Sequence, residues 1–119
     1  MALILIIDDS SFTRKRIANM VKAEGHEILE ATDGNQGLEM IATHSPDCIM
    51  VDLIMPKMDG LELLEMLNSQ GSKIPRIVVT ADIQETVRQE CFAHGALAVL
   101  NKPPKTDELQ NALAKALGS

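Results

Sequence analysis

The sequence predicts an α/β domain in which a five-stranded parallel sheet is covered by helices on both faces. Three observations lead to this prediction. Short apolar segments and amphipathic segments alternate five times along 119 residues, a length that suits one domain. The apolar segments are continuous runs, which are typical of strands buried on both faces. No linker, repeat or low-complexity stretch interrupts the alternation.

The first half of the chain predicts strand, helix, strand, helix and strand. The expected elements are Ala2–Ile7, Ser10–Glu24, Glu27–Ala31, Gly34–His44 and Asp47–Val51. Gly25 ends the first helix, and Ser45–Pro46 ends the second, because glycine and proline do not favour a continuing helix. Asp33 can cap the second helix, with Gln36 at the reciprocal capping position.

The second half of the chain continues the alternation with three helices and two strands. Asp59 caps the third helix, with Glu62 three residues later, and Asp82 with Glu85 offers a similar pair for the fourth. The expected elements are the helix after Asp59, the strand Ile74–Thr80, the helix Ile83–His94, the strand Ala96–Leu100 and a helix from Thr106. Alternating strands and helices with right-handed crossovers fit the flavodoxin-like strand order 2-1-3-4-5.

Polar residues follow four of the five predicted strands. In such a sheet, ligands bind beyond the carboxyl ends of the strands, where the strand order reverses. The residues at those ends are Asp8 and Asp9, Asp52, Thr80, and Asn101 with Lys102. Because strands one, three, four and five are neighbours in this order, three carboxylates, a hydroxyl and an ammonium are expected to converge on one site.

This set of side chains has a definite chemistry. Carboxylates about 4 Å apart repel by roughly 4 kcal/mol at an effective dielectric near 20, so the cluster needs a cation. Oxygen ligands with some retained water suit Mg²⁺. A carboxylate beside such a cation, a hydroxyl and a lysine is equipped to attack phosphorus. Each residue alone would be a turn, cap or surface residue, but their joint position at adjacent strand ends disfavours coincidence.

Composition narrows the class of protein. The formal net charge of −6 argues against nucleic acid as a direct partner. Cys48 and Cys91 have no metal-ligand spacing and are expected to be small buried residues of a reducing compartment. The apolar stretch Leu3–Ile7 is too short for a signal peptide or a membrane span, so a cytoplasmic location without membrane contact is expected.

Four segments of the chain resemble the signature regions of response-regulator receiver domains, the family of the chemotaxis regulator CheY. They are IIDDSSFTRKRI, VDLIMPKMDG, VVTAD and NKPP. The resemblance covers the whole chain, residues 1–119, and the four segments together are specific where none alone would be. It implies a signalling switch of a two-component system rather than an enzyme, although such a domain catalyses its own phosphoryl transfer and slow autodephosphorylation.

The resemblance assigns a role to each residue of the expected site. It implies that Asp52 accepts a phosphoryl group from the phosphohistidine of a sensor histidine kinase or phosphotransfer protein. Asp9, Asp52 and the backbone carbonyl of Ile54 would bind Mg²⁺, with Asp8 acting through water. Thr80 and Lys102 would contact the phosphoryl group, and no organic cofactor is implied.

The output side departs from the usual pattern of the family. The resemblance implies that a downstream protein or domain is bound through helix four, strand five and helix five, and that the peptide bond before Pro103 tends to be cis. Val99 stands where the family often has an aromatic residue, and Pro104 stands where it commonly has phenylalanine. These changes leave the phosphoryl chemistry untouched, but we expect the output surface to switch by a different motion. Phe92 on helix four is expected in the core, with contact to a partner protein as the less favoured alternative.

Three rival classes of function remain open to test. A pseudo-receiver would bind partners without taking phosphate, and the intact set of polar residues argues against it. A flavin-binding module would need a neutral loop after the first strand, where Asp8 and Asp9 would repel a phosphate. A phosphohydrolase with an aspartate nucleophile would need an acid two residues after Asp52, and Ile54 cannot serve.

Overall fold

The computed structural model describes residues 1–55, 58–81 and 84–118. Its strands and helices alternate through the chain as the sequence predicts. The elements are β1 (Leu3–Ile7), α1 (Ser11–Ala23), β2 (Glu27–Ala31), α2 (Gly34–His44), β3 (Cys48–Val51), α3 (Gly60–Ser69), β4 (Arg76–Thr80), α4 (Glu85–Ala93), β5 (Ala96–Asn101) and α5 (Thr106–Ala116).

The five strands form one sheet in the order β2-β1-β3-β4-β5, and every neighbouring pair is parallel. The predicted flavodoxin-like order is therefore confirmed. All residues of β3 and β4 are buried, as are four of the five in β1. This two-sided burial explains why these segments read as continuous apolar runs.

The sheet separates two apolar cores. Alternate side chains of β1 supply both, with Ile4 and Ile6 on one face and Leu5 and Ile7 on the other. Helices α1 and α5 cover the first face, and helices α2, α3 and α4 cover the second. Cys48 and Cys91 are buried, as expected, and burial raises the pKa of the Cys48 thiol to about 12.

Two of the predicted helix caps are confirmed. The carboxylate of Asp33 accepts a 2.8 Å hydrogen bond from the Gln36 amide, and that of Asp59 accepts one of the same length from the Glu62 amide. The reciprocal bond of Gln36 differs from expectation, because its side chain accepts from the Thr32 amide one residue before the cap. These caps fix where α2 and α3 begin.

Several boundaries differ from the sequence prediction. Helix α4 begins at Glu85, two residues later than expected, and Gln84 is its N-cap residue without a side-chain capping bond. The predicted cap Asp82 and the predicted first residue Ile83 lie outside the described residues. Strand β4 begins at Arg76 rather than Ile74, because Pro75 has no N–H to donate to the ladder.

Phe92 was expected in the core, and this prediction is wrong. Its side chain is 44% exposed, whereas the preceding Cys91 is the fully buried residue of α4. The Arg88 guanidinium lies 5.6 Å from the Phe92 ring centroid, within cation–π range. In the described parts of the chain, no helix combines the length and the apolar character that crossing a bilayer requires.

Candidate functional site

The expected site residues lie together at the carboxyl edge of the sheet. Asp8 follows β1, Asp52 follows β3, Thr80 ends β4, and Lys102 follows β5. One carboxylate oxygen from each of Asp8, Asp9 and Asp52 falls within 4.8 Å of the others. We call these three residues the acidic cluster.

Lys102 places its ammonium between two members of the acidic cluster. Its Nζ lies 2.9 Å from Oδ2 of Asp52 and 3.2 Å from Oδ2 of Asp8. The amide of Lys102 donates a 3.0 Å hydrogen bond to the carbonyl of Thr80, which joins the end of β5 to the end of β4. The Lys102–Pro103 peptide is cis, as the resemblance implied.

The carboxylates differ in how deeply they are buried. Asp8 is 1% exposed and Asp52 is 5% exposed, whereas Asp9 is exposed. The main chain holds Asp52 in place, since its amide donates to the Ile7 carbonyl and its Oδ1 accepts from the Ile54 amide at 3.4 Å. The site therefore consists of two buried acids, Asp8 and Asp52, and one solvent-exposed acid, Asp9.

Asp8 is an unusual buried acid. Its Oδ1 accepts a 2.8 Å hydrogen bond from the Ser10 amide, but its Oδ2 accepts none among the described residues. Burial raises the pKa of the Asp8 carboxyl, against the hydrogen bond from Ser10 and the charge of Lys102. A buried acceptor without a donor is rare in folded proteins and commonly marks a place for an ion or water.

The single positive charge of Lys102 offsets only part of the negative charge of the acidic cluster. Burial lowers the pKa of the ammonium, but the hydrogen bonds and charges of Asp52 and Asp8 outweigh it and raise the pKa overall. The surroundings of Lys102 thus favour its charged form, whereas the burial of Asp8 favours its neutral form. The difference follows mainly from burial, because the Asp8 side chain is 2% exposed and the Lys102 side chain is 20% exposed.

Three carboxylates against one ammonium leave the site with excess negative charge. Carboxylate oxygens are hard ligands, which suit Mg²⁺ or Ca²⁺ rather than metals that prefer nitrogen or sulfur. The unbonded Oδ2 of Asp8 and the spacing within 4.8 Å fit such an ion. The acidic cluster can therefore hold a divalent cation.

Two residues near the site escaped the sequence analysis. Gly60 begins α3, and a Cβ on it would overlap the main-chain carbonyl of Asp52, so only glycine lets α3 approach this closely. Arg14 on α1 donates a 2.8 Å hydrogen bond to the carbonyl of Asp8. The Asp59–Gly60 pair is a visible turn signal, but nothing in the local sequence marks Arg14.

Comparison with known proteins agrees with this geometry. The family model of the response regulator receiver domain matches residues 4–114. The response regulators MprA of Mycobacterium ulcerans and of Mycolicibacterium vanbaalenii are 36% and 34% identical over 106 residues, which are 89% of this chain and 46% of each relative. The chain thus spans about half the length of the curated relatives it matches.

Solved structures are similar over nearly the whole chain. The receiver domain of the Francisella response regulator 1452 is 30% identical, with a TM-score of 0.85 and coverage of 99% of this chain and 98% of that one. The chemotaxis protein CheY4 of Vibrio cholerae is 29% identical, with a TM-score of 0.89 and coverage of 98% and 99%. The chain therefore belongs to the family of response regulator receiver domains, the CheY-like signalling domains of two-component systems.

Proposed function

We propose that this domain is a phosphorylation switch in which Asp52 accepts a phosphoryl group in the presence of Mg²⁺. The observation that carries the proposal is the Asp52 carboxylate, which is buried in the acidic cluster and bound by Lys102 at 2.9 Å. A structural ion pair would need one acid, whereas here Lys102 contacts two acids and the carboxylate of Asp9 lies within 4.8 Å of both.

The proposed transfer is a displacement at phosphorus. A carboxylate oxygen of Asp52 attacks the phosphoryl group of a kinase phosphohistidine, the P–N bond breaks, and an acyl phosphate forms on Asp52. The Lys102 ammonium neutralises charge on the phosphoryl oxygens, and the buried Thr80 at the end of β4 donates a hydrogen bond to one of them. These residues bind and orient the group without forming a bond to it.

Mg²⁺ fits the proposed site. Asp9, Asp52 and the backbone carbonyl of Ile54 would hold the ion directly, and Asp8 would act through a water molecule. When bound, the ion would supply positive charge that offsets the negative charge of the carboxylates and of the phosphoryl oxygens. The unbonded Oδ2 of Asp8 and the three-carboxylate spacing support this assignment.

The proposed switch turns itself off slowly. Hydrolysis needs a water in line with phosphorus, and a polar side chain two residues after the acceptor would orient it. That residue is Ile54, which is 67% exposed at the mouth of the site and has no side-chain group that can bond to water. Its β-branch also restricts its rotamers, so it covers the phosphoryl face persistently.

The partners follow from the family and remain proposals for this chain. A sensor histidine kinase or phosphotransfer protein in the cytoplasm would supply the phosphoryl group. A downstream protein or domain would read the switch through α4, β5 and α5. The net charge of −6 argues against direct binding of nucleic acid by this domain.

Intact-mass measurement tests the proposal. The natural chain incubated with acetyl phosphate and Mg²⁺ should gain the mass of one phosphoryl group, and Asp52→Asn should gain none. Asp47→Asn is the matched control, because Asp47 is an exposed aspartate at the opposite edge of the sheet. Normal labelling of Asp52→Asn, or no labelling of the natural chain, would refute the proposal.

A further inference from the structure

Arg14 connects three parts of the chain beside the acidic cluster. It lies near the start of α1, and its side chain is 13% exposed. Its Nη1 donates a 2.8 Å hydrogen bond to the main-chain carbonyl of Asp8, and its Nε donates a 2.8 Å bond to Oε1 of Glu30 in β2. The guanidinium therefore ties the loop after β1 to both α1 and β2.

Asp8 is held by hydrogen bonds on every side except one. Its amide donates to the Ala31 carbonyl at 3.1 Å, its Oδ1 accepts from the Ser10 amide, and its carbonyl accepts from Arg14. Among the described residues, only its Oδ2 has no hydrogen-bond donor, and this atom lies 3.2 Å from the Lys102 ammonium. The Lys102 ammonium adds a longer 3.5 Å bond to Oδ1 of Asp8. Among the described bonds, Arg14 alone is a side chain that binds the main chain of Asp8, so a substitution can remove that contribution by itself.

The carbonyl that Arg14 binds belongs to the peptide between Asp8 and Asp9. Because a peptide unit is planar, fixing its carbonyl also fixes the positions of the Cα atoms of Asp8 and Asp9, which restricts where their side chains can reach. We propose that Arg14 is a positioning residue that acts through this peptide to hold the Asp8 and Asp9 carboxylates toward Asp52. The inference rests on the proposed function, since it assumes that the acidic cluster holds Mg²⁺.

The geometry of arginine is needed for this role. Two different nitrogens of one rigid fork bind two acceptors on separate elements, the carbonyl of Asp8 and the carboxylate of Glu30. A lysine would keep the positive charge near the cluster but presents a single point of donation. Arg14→Lys therefore separates the positioning of the carboxylates from the electrostatic effect of a nearby cation.

A Mg²⁺ titration of thermal stability tests the inference. An ion that binds the folded state raises Tm as its concentration exceeds the dissociation constant, and magnesium chloride alone is a sufficient probe. Loss of a group that orients a metal ligand commonly weakens binding by about tenfold or more, so Arg14→Lys should need about tenfold more Mg²⁺ for half of the Tm increase. Its rate of phosphorylation by acetyl phosphate should recover at saturating Mg²⁺.

Arg88 offers a matched control. Its Nη1 also donates to a main-chain carbonyl, that of Val99 at 3.2 Å, and its Nε lies 3.9 Å from Glu85. It lies on α4 and contacts no member of the acidic cluster in the hydrogen bonds and ion pairs described, so Arg88→Lys should leave the Mg²⁺ dependence unchanged. Glu30→Ala removes one of the two anchors of Arg14 and should give a shift between these two, which also serves if Arg14→Lys fails to fold.

The outcomes separate this inference from the proposed function. If the natural chain binds Mg²⁺ and Arg14→Lys has the same half-saturation, the inference is overturned and the proposed function stands. An equal shift in Arg88→Lys also overturns it, because loss of any such arginine would then have the same effect. If Mg²⁺ does not raise the Tm of the natural chain, the metal site and the inference fall together.

Discussion

The sheet has an amino edge and a carboxyl edge, where its parallel strands begin and end, and the two edges use polar side chains differently. At the amino edge these side chains bind main-chain atoms, whereas at the carboxyl edge charged side chains contact one another. At the amino edge, Asp47 accepts a 2.8 Å hydrogen bond from the Leu3 amide, and His26 accepts a 3.1 Å bond from the Ala2 amide. The buried guanidinium of Arg76 donates to carbonyls in the segment before β4. These residues complete the hydrogen bonding of strand ends.

The carboxyl edge uses the same kinds of residue differently. Asp8 and Asp52 face each other and the ammonium of Lys102, and one buried oxygen of Asp8 accepts no hydrogen bond among the described residues. Residue type therefore does not identify a functional edge. The difference lies in whether the main chain satisfies each polar atom, which indicates structure, or leaves one for a ligand, which indicates function.

The largest expected effect on stability comes from removing the guanidinium of Arg76 at the amino edge. Arg76→Met removes the donors to the carbonyls of the half-buried residues Ser72 and Ile74, at 2.9 and 3.2 Å, and leaves both carbonyls short of a partner beside a buried side chain. We expect the free energy of unfolding to fall by about 2–4 kcal/mol. Urea unfolding measures this loss.

The carboxyl edge should not respond to that change. The folded fraction of Arg76→Met is expected to accept a phosphoryl group from acetyl phosphate as the natural chain does. If its labelling is lost under conditions where circular dichroism shows it folded, the two edges are not independent, and the comparison is wrong.

The next effect concerns how long the phosphoryl group persists. Ile54→Asn places a group that can orient water at the mouth of the site, and we expect the aspartyl phosphate to decay roughly tenfold faster, equivalent to about 1–2 kcal/mol of barrier. Decay of the phosphorylated mass with time measures this rate. Ile54→Val is the control, since it keeps an apolar β-branched side chain and should decay at the natural rate. No acceleration in the Asn variant would show that the lifetime is set elsewhere.

A smaller effect is expected from neutralising the buried acid. Asp8→Asn keeps an oxygen for the Ser10 amide and removes the charge that burial opposes, so without Mg²⁺ it should stabilise the fold at pH 7 by on the order of 1 kcal/mol. The folded-state pKa of Asp8 lies above its ordinary value of 3.8, so the folded protein holds this proton longer than the unfolded chain. The natural chain must therefore lose stability relative to the variant as pH rises from 3.8 through the folded pKa.

The neighbouring acid Asp9 should behave differently from Asp8. Asp9 is exposed, so the repulsion and its relief belong mainly to Asp8, while Asp9→Ala should chiefly weaken Mg²⁺ binding. Urea unfolding at several pH values in the presence of EDTA measures the difference between Asp8→Asn and the natural chain. A difference that does not change with pH would contradict the assigned burial of this charge.

The smallest effect is expected when an aspartate at the amino edge is changed to asparagine. Asp47→Asn also keeps an oxygen for a main-chain amide, that of Leu3, but Asp47 is exposed and its charge is hydrated. Its unfolding free energy should stay within about 0.5 kcal/mol of the natural value at every pH tested. A change as large as that of Asp8→Asn would mean that the two edges do not differ in the way described.

Much of this architecture could be predicted from the sequence because its signals are local. Apolar runs mark the buried strands, and Asp33 and Asp59 cap their helices through contacts three residues away. The strand order then follows from the handedness of crossovers, and it carries Asp8, Asp52 and Lys102 to one edge.

What the sequence could not predict depends on packing between distant segments. The contact of Arg14 with Glu30 depends on how α1 lies across β2. Phe92 has the apolar character of a core residue, but the rotation of α4 buries Cys91 instead, and a stack with Arg88 accommodates the exposed ring. Which atom of Asp8 is left without a donor likewise depends on three-dimensional contacts.

The measurement that tests the central claim most directly locates the phosphoryl group within the acidic cluster. The natural chain is phosphorylated with acetyl phosphate and Mg²⁺, treated with sodium borohydride to reduce the acyl phosphate to an alcohol, and analysed by peptide mass spectrometry. The account predicts that residue 52 is converted from aspartate to homoserine while Asp8 and Asp9 remain unchanged. Conversion at Asp8 or Asp9, or at no aspartate, would contradict it.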